Sequence, residues 1–174
     1  MIPKPVQDDY RIEPFGQDHN REGFSCGIEP LDVYIRQQAG QDSKRNLAAI
    51  FIMTADSKLI AGYYTLSAHS LNVNDLPLDL RKKLPRIPIP VTLLGRMAIS
   101  TLLQRQGLGA YMLADALQRT WRGSQQIASW AMVVDTKENA RDFYLANGFL
   151  ALPDAPDRLF LPMKTIGELF RKSV

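Results

Sequence analysis

The chain has 174 residues, of which 45% are hydrophobic and 22% are charged, with a formal net charge of +3 and a pI near 9.1. This profile is typical of one soluble globular domain, residues 1–174, and its basic balance is compatible with a polyanionic partner. The single cysteine, Cys26, excludes an internal disulfide framework, and one cysteine with two histidines argues against a zinc site. We find no targeting segment and no apolar run of about 18 residues, so we expect a cytoplasmic protein with no membrane association.

The first half of the chain predicts a strand, a helix and a β-hairpin. Residues 9–15 have the pattern of a short strand. Residues 28–46 have apolar side chains on one helical face, and Pro30 suits the first turn of a helix. The β-rich runs 47–54 and 58–71 are separated by a short polar segment, which indicates a hairpin.

The second half predicts alternating strands and helices after a loop. Residues 74–90 contain four prolines, so we expect a loop with one helical turn. The later elements are a strand over 91–99, a helix from Leu108, a strand over 127–135, a helix over 136–149 ended by Asn147-Gly148, and a strand over 158–164 with a short amphipathic tail. This order predicts a mixed α/β (α+β) fold with helices covering a central sheet.

Two glycines, Gly107 and Gly109, stand where a helix is predicted to begin, behind Gln104, Arg105 and Gln106. Glycine lets the backbone approach a ligand, and the first N–H groups of a helix favour an anion. The same glycines could instead serve a tight turn and close helix–sheet packing. The spacing is neither a Rossmann fingerprint nor a Walker loop, because the third glycine and the Gly-Lys-Ser/Thr sequence are missing.

The motif Gln104-x-x-Gly107-x-Gly109 resembles the (Arg/Gln)-x-x-Gly-x-(Gly/Ala) motif of GCN5-related N-acetyltransferases (GNAT), whose amides hold the pyrophosphate of coenzyme A. Residues 93–100 and 133–149 are similar to the strand before that motif and to the strand and helix after it. Further segments resemble one subgroup, the acetyltransferase toxins of type II toxin–antitoxin systems. They are FSCGIEPLDVYI, GYYTLSA, LPRIPIPVTLLGR and LFLPM, so that the resemblance covers roughly residues 8–164.

The resemblance implies a GNAT fold, in which a mixed, mostly antiparallel central sheet is flanked by helices, and it implies acetyl-CoA as co-substrate without a metal ion. The implied cofactor contacts come from the end of strand 91–99 and from the glycine loop: Met97, Ala98, Ile99, Gln104, Arg105, Gln106, Gly107, Leu108, Gly109 and Ala110. Asn139 resembles a residue that contacts the pantetheine arm or the phosphates, and it could equally be a polar residue of a first helical turn. Arg105 departs from the subgroup, which often has glycine there; the side chain is bulky, but its charge suits phosphates.

Tyr144 is the residue to which the resemblance assigns the general acid, which protonates the departing thiolate. The alternative is an aromatic ring that only packs beside Phe143. A free α-amine has a pKa of about 7.7–8.0 and an aminoacyl ester lies lower, so no strong base is required. His19 and His69 lie far from the motifs, and we expect structural roles for both.

Basic residues bear on the acceptor substrate. Six of them fall on segments that flank the acceptor cleft in the resembled fold: Lys44, Arg45, Lys82, Lys83, Arg86 and Arg96. Arg81 lies in the same proline-rich segment as Lys82, Lys83 and Arg86. We expect these cations to contact tRNA phosphates, although a run of cations is often only a solvated face.

The subgroup resemblance implies a toxin that acetylates the α-amine of aminoacyl-tRNA and so inhibits translation. It also implies a ribbon-helix-helix antitoxin, with promoter DNA bound only through the antitoxin complex. The apolar stretch YYTLSAHSL, residues 63–71, is expected to be exposed and to support a homodimer. The alternatives are an acetyltransferase of a small amine or a protein N-terminus, and a non-catalytic module that binds acetyl-CoA.

Overall fold

The computed structural model describes residues 6–137 and 139–171. The chain is organised as two compact units. The first runs to Ser67 and includes Gly95–Ala116, and the second comprises Ala68–Leu94 and the chain from Leu117 onward. The single domain expected from the sequence stays a prediction.

The first unit contains the start of the sheet and a long helical segment. Strands β1 Arg11–Pro14, β2 Ala49–Thr54 and β3 Gly62–Leu71 pair antiparallel in that order, and the last four residues of β3 belong to the second unit. The helical segment consists of α1 Glu29–Val33, a π-helical turn Tyr34–Gln38 and α2 Ala39–Lys44. Ile35, Ile52 and Tyr63 are fully buried in its core, which explains the apolar face predicted over 28–46 and the β-rich runs that follow.

The second unit contains most of the remaining elements. They are α3 Leu78–Arg81, β4 Ile89–Ile99, α4 Leu108–Ser124, β5 Ala131–Asp135, α5 Arg141–Ala146, β6 Leu150–Leu152, β7 Ala155–Pro162 and α6 Met163–Arg171, of which β4 and α4 each have one end in the first unit. Its apolar core includes Leu76, Val91, Val133 and Phe160. In the part of the chain that the structure describes, no helix is long and apolar enough to cross a membrane.

The sheet has seven strands in the order β1-β2-β3-β4-β5-β7-β6. The pairs β1/β2, β2/β3, β5/β7 and β6/β7 are antiparallel, whereas β4 and β5 are parallel over Thr92–Leu94. This arrangement confirms the predicted mixed, mostly antiparallel sheet with flanking helices.

The structure differs from the sequence analysis in three segments. The helix predicted over 136–149 begins only at Arg141, because the N–H and the hydroxyl of Thr136 both donate to the carbonyl of Asp157 and hold this segment in a non-helical conformation. Strand β6 was not predicted, since three residues are too few to show a period. The stretch 63–71 is not an exposed patch: Tyr63, Tyr64 and Leu66 are buried, so it does not supply the reason given for a homodimer.

Helix α5 ends in a Schellman motif, as the Asn-Gly signal predicted. Gly148 has φ of +91°, its N–H donates to Leu145 O, and the Phe149 N–H donates to Tyr144 O, each at 3.1 Å. The rings of Tyr144 and Phe149 make the hydrophobic contact of this motif, with centroids 5.4 Å apart. The cap therefore fixes both the backbone and the ring of Tyr144.

Replacement of Gly148 with alanine is expected to destabilise the fold by about 1 kcal/mol, because a β-carbon is disfavoured at positive φ. Crowding is not the cause, since the nearest heavy atom to the added β-carbon is Leu161 Cδ1 at 4.0 Å. Gly123→Ala is the matched control: this glycine lies in α4 with nothing within 4 Å and no positive φ, so alanine should be neutral or stabilising. Urea unfolding followed by circular dichroism measures both, and a Gly148→Ala protein as stable as wild type would contradict the prediction.

Candidate active site

The glycine loop, residues 100–107, connects the end of β4 to the start of α4 within the first unit. Two of its residues have left-handed backbone, Arg105 with φ of +63° and Gly107 with φ of +80°. The side-chain amide of Gln104 donates to Ile99 O at 3.0 Å and to Cys26 O at 2.9 Å. Gln104 therefore anchors this loop to the strand end and to the segment before α1. No sequence pattern indicates the contact with Cys26, because its main-chain carbonyl accepts the hydrogen bond and the side chain takes no part in it.

Gly107 is required by its conformation and not by packing. A β-carbon built on it would meet nothing within 4 Å, so the close-packing interpretation does not apply to this residue. The space beside its α-carbon is open to a ligand. It directly precedes α4, a helix of 17 residues whose first N–H groups have no partner within the helix. An anion held here would meet main-chain donors and the positive end of the helix dipole.

The end of β4 is held closely against β3. A β-carbon at Gly62 would lie 2.8 Å from Ala98 O, so only glycine permits this approach. Ala98 is buried, and Met97 and Ile99 are partly buried. The pairing of β4 with β5 covers Thr92–Leu94, so β4 continues for five residues beyond that register. Gly62 was not predicted as part of the site, although an isolated glycine inside a strand pattern is a signal for such an approach.

Tyr144 lies in the second unit, on α5, and is 5% exposed. Its ring meets Phe143 and Phe149 edge to face, at 5.1 and 5.4 Å between centroids, so the packing role expected as an alternative is real. Among the residues that the structure describes, none hydrogen-bonds its hydroxyl. Burial raises the pKa of this phenol above its usual value of 10, which keeps it protonated near neutral pH.

Other tyrosine hydroxyls are already engaged. Those of Tyr34, Tyr63, Tyr64 and Tyr111 donate to Asp42, to Leu31 O, to Asp115 and to Tyr10 O, respectively. A hydroxyl bound in this way is less available as a proton donor to a substrate. Tyr144 thus differs from these four tyrosines in having a neutral hydroxyl without a described protein partner.

The structure also describes the surroundings of Asn139 and His19. Asn139 is exposed in the turn before α5. His19 is buried, accepts a hydrogen bond at Nδ1 from the Gly16 N–H, and lies 2.7 Å from Glu13 Oε1 through Nε2. This pattern closes a local turn and agrees with a structural role. No cluster of three or more potential metal ligands occurs among the described residues.

The six predicted tRNA contacts are divided between the units. Lys44 is the last residue of α2 and Arg45 its C-cap, both exposed in the first unit. Lys82, Lys83 and Arg86 are exposed in the second unit, after α3.

Arg96 differs from the other five cations. Its guanidinium lies 3.7 Å from the centroid of the Tyr34 ring, in the first unit. The Tyr34 hydroxyl in turn donates to Asp42 at 2.9 Å. Arg96 is therefore engaged in a cation–π contact and helps to hold the π-helical turn that contains Tyr34.

Comparisons with known proteins identify relatives along most of the chain. No family model matches it. It is 33% identical over 142 residues to the tRNA-acetylating toxin of Mycobacterium tuberculosis, covering 81% of this chain and 84% of that protein. It is 30% identical over 169 residues to a protein of Sinorhizobium fredii named Probable toxin TacT, covering 91% of this chain and 93% of that protein.

Solved structures share the fold. AtaT complexed with acetyl-methionyl-tRNAfMet matches with a TM-score of 0.87 and 30% identity, covering 92% of this chain and 99% of AtaT. AtaTR bound with AcCoA matches with a TM-score of 0.82 and 31% identity, over 94% of this chain and 99% of that one. The AtaT-AtaR complex bound to DNA matches with a TM-score of 0.76 and 28% identity, over 92% and 99%.

The sequence identity to the M. tuberculosis toxin extends over four fifths of the chain, and the fold agrees over nine tenths of it. The resemblance found in the sequence is thereby confirmed. The chain belongs to the tRNA-acetylating toxins, which are acetyltransferase toxins of the GCN5-related N-acetyltransferase family.

Proposed function

We propose that this chain transfers the acetyl group of acetyl-CoA to the α-amine of aminoacyl-tRNA, so that the amino acid can no longer be delivered to a growing peptide. The observation that carries the proposal is Gly107, whose left-handed backbone leaves open space next to the N-terminus of α4. The relatives support the substrates, because one is named as a tRNA-acetylating toxin and solved AtaT structures contain acetyl-methionyl-tRNA or AcCoA.

Acetyl-CoA, when bound, supplies an acetyl thioester whose pyrophosphate suits the glycine loop. Main-chain N–H groups from Gln106 through Ala110, which include those of Leu108 and Gly109, would hold the phosphates. Gln104 would act on the phosphates indirectly, since its amide donates to Cys26 O and Ile99 O and so shapes this loop. Arg105 would add a mobile positive charge. The main chain of Met97, Ala98 and Ile99 would hold the acetyl group and pantetheine arm, with Asn139 as a further polar contact.

The chemistry that remains for the protein is modest. The α-amine of an aminoacyl ester is largely neutral near pH 7, so it can attack the carbonyl without a strong base. The bond from nitrogen to the acetyl carbon forms, the carbon–sulfur bond breaks, and the sulfur leaves as a thiolate. The Tyr144 hydroxyl would donate its proton to that sulfur, the proton lost by the amine would go to solvent, and the tyrosinate would regain a proton from solvent.

The acceptor and protein partners follow from charge and from the relatives. Lys44, Arg45, Lys82, Lys83 and Arg86 would contact tRNA phosphates, with Arg96 acting mainly through Tyr34. The AtaT-AtaR complex bound to DNA supports an antitoxin partner, proposed here as a ribbon-helix-helix protein through which promoter DNA is bound. We further propose a homodimer of single-domain chains that acts in the cytoplasm without a metal ion.

The acceptor is tested directly with purified protein and radiolabelled acetyl-CoA. Charged tRNA should become acetylated on its aminoacyl group, while uncharged tRNA and the free amino acid should not, because tRNA contacts and a reactive amine are both required. Thin-layer chromatography of the released acyl group identifies the product. Efficient acetylation of the free amino acid would favour a small-amine acetyltransferase instead.

Arg105→Gly should raise stability and weaken acetyl-CoA binding at once. Release of an arginine from φ of +63° should increase the unfolding free energy by about 0.5–1 kcal/mol, after the entropy cost of glycine. Loss of one exposed charge near phosphates should raise the acetyl-CoA Kd by up to about fivefold, less at high salt.

Asn46→Gly is the matched control for Arg105→Gly. Asn46 has φ of +57°, so the substitution releases the same kind of strain without removing a charge. It should raise stability slightly and leave the acetyl-CoA Kd unchanged. Urea unfolding and calorimetry at two salt concentrations measure both effects, and an unaltered Kd in Arg105→Gly would remove this side chain from the phosphate site.

Tyr144→Phe should slow acetyl transfer by about 10²–10⁴-fold, or roughly 3–5 kcal/mol of barrier, with little change in acetyl-CoA affinity. The ring contacts with Phe143 and Phe149 remain, so the fold should be kept. Tyr111→Phe is the control, because the Tyr111 hydroxyl already donates to Tyr10 O.

Single-turnover transfer to charged tRNA separates chemistry from product release. Because burial raises the pKa of Tyr144, the acid form persists in alkali, and the wild-type rate should not fall through tyrosine ionisation up to about pH 9. A loss below about fivefold in Tyr144→Phe would assign the proton donor elsewhere.

A further inference from the structure

We propose that the second unit contains a pocket, with Arg81 in its lining, that binds a phosphate of an RNA backbone. The pocket consists of two cavities that share part of their lining. One, of about 240 Å³, lies beside α3 and is lined by Arg81 and Lys82; the other, of about 430 Å³, lies at the end of β3 and is not lined by Arg81. Both cavities share Val73, Asn74 and Arg86. All of the lining comes from residues 70–88, so the pocket is complete within one unit.

The lining is rich in hydrogen-bond donors that carry positive charge. Arg81, Lys82 and Arg86 supply three cations, and no carboxylate is found among the described residues that line the two cavities. Asn72 accepts a hydrogen bond from the Asn74 N–H at 3.0 Å through its carbonyl oxygen, which leaves its amide N–H groups for other partners. Arginine and lysine side chains donate only, so the occupant must bring acceptors and negative charge.

The surroundings of Arg81 distinguish a phosphate-binding site from a group of solvated surface cations. Its Nε atom is buried and has no hydrogen-bond partner among the described residues. A buried charged donor left without an acceptor is costly, and such groups call for an explanation. Capping of α3 does not explain it, because that helix is a single turn of four residues and its dipole is correspondingly small.

A phosphate group fits these donors better than other ligands. The planar guanidinium presents parallel N–H groups that match two oxygens of a phosphate, and Lys82 offers a point charge beside it. A lining with this many charged and amide groups disfavours an apolar ligand. The choice of an RNA backbone as the source of the phosphate rests on the proposed function, and it adds Arg81 and Asn72 to the six residues proposed above as tRNA contacts.

A backbone phosphate is the same on charged and uncharged tRNA, so the pocket is tested without acetyl transfer. Binding of uncharged tRNA is measured from 50 to 300 mM NaCl for wild type, Arg81→Gln, Arg86→Gln and Lys164→Gln. Each pocket variant should reduce the slope of log affinity against log salt by about 0.7–0.9, because one phosphate contact is lost. Lys164, exposed on α6, is the matched control for loss of charge and should leave the slope unchanged.

A second measurement is made on the wild-type protein and uses a variant only to assign the signal. The Nε–H signal of Arg81 in the ¹⁵N–¹H spectrum, assigned with Arg81→Lys, is followed during titration with uncharged tRNA and with inorganic phosphate. A shift on addition of tRNA supports the pocket. A shift with inorganic phosphate alone would overturn the RNA assignment, and no shift with either would overturn the pocket itself.

A parallel assay of acetyl transfer to charged tRNA by the wild-type protein tests the proposed function separately from the pocket. Transfer with an unchanged salt slope in Arg81→Gln would overturn the pocket and leave the acetyltransferase intact. If the Arg81 signal responds to tRNA but the protein transfers no acetyl group, the pocket is supported and the proposed acetyltransferase function is overturned.

Discussion

The change from strand to helix between Ile99 and Leu108 is the constraint on which much of the first unit depends. The backbone turns through two left-handed residues, Arg105 and Gly107, and the side-chain amide of Gln104 holds the turn by donating to two carbonyls. Arginine in that conformation costs about 1–2 kcal/mol. Burial of Leu108, Met112 and Leu113 in the helix that follows contributes about 1.5–3 kcal/mol each, so the strain is easily outweighed. The turn that starts this buried helix also exposes the N–H groups to which an anion can bind.

Glycine in left-handed backbone has a second use in the Tyr144 region. Gly148 closes the Schellman motif of α5, and the hydrogen bonds and ring contact of that motif involve Tyr144 itself. The tyrosine is therefore fixed by local backbone geometry and by two phenylalanine rings, without any described bond to its hydroxyl. A structural ring and an available proton donor are compatible in one residue, because packing uses the ring and chemistry would use the oxygen.

The sequence predicted those features that depend on local pattern. Hydrophobic periodicity located the hairpin of β2 and β3 and the helix α4. The Asn-Gly signal located the cap at Gly148, and a short motif located the glycine loop. The start of α5 was missed because Thr136 is held by the distant carbonyl of Asp157, which no local pattern records. The left-handed conformation of Arg105 was also not predictable, because residues other than glycine rarely have positive φ. Burial of residues 63–66 likewise depends on neighbours that are remote in sequence.

The role of a basic residue also depends on the partners that the fold brings to it. A net charge of +3 gives no strong general field, so individual cations must be judged by their surroundings. Arg158 is engaged by Asp135 through two hydrogen bonds, and Arg96 by the ring of Tyr34. Both guanidinium groups therefore have interaction partners within the protein. Arg81 has a buried nitrogen with no such partner among the described residues. Because the two kinds of arginine are indistinguishable in sequence, recognition of a polyanion is better inferred from unpaired donors in a cavity than from a count of basic residues.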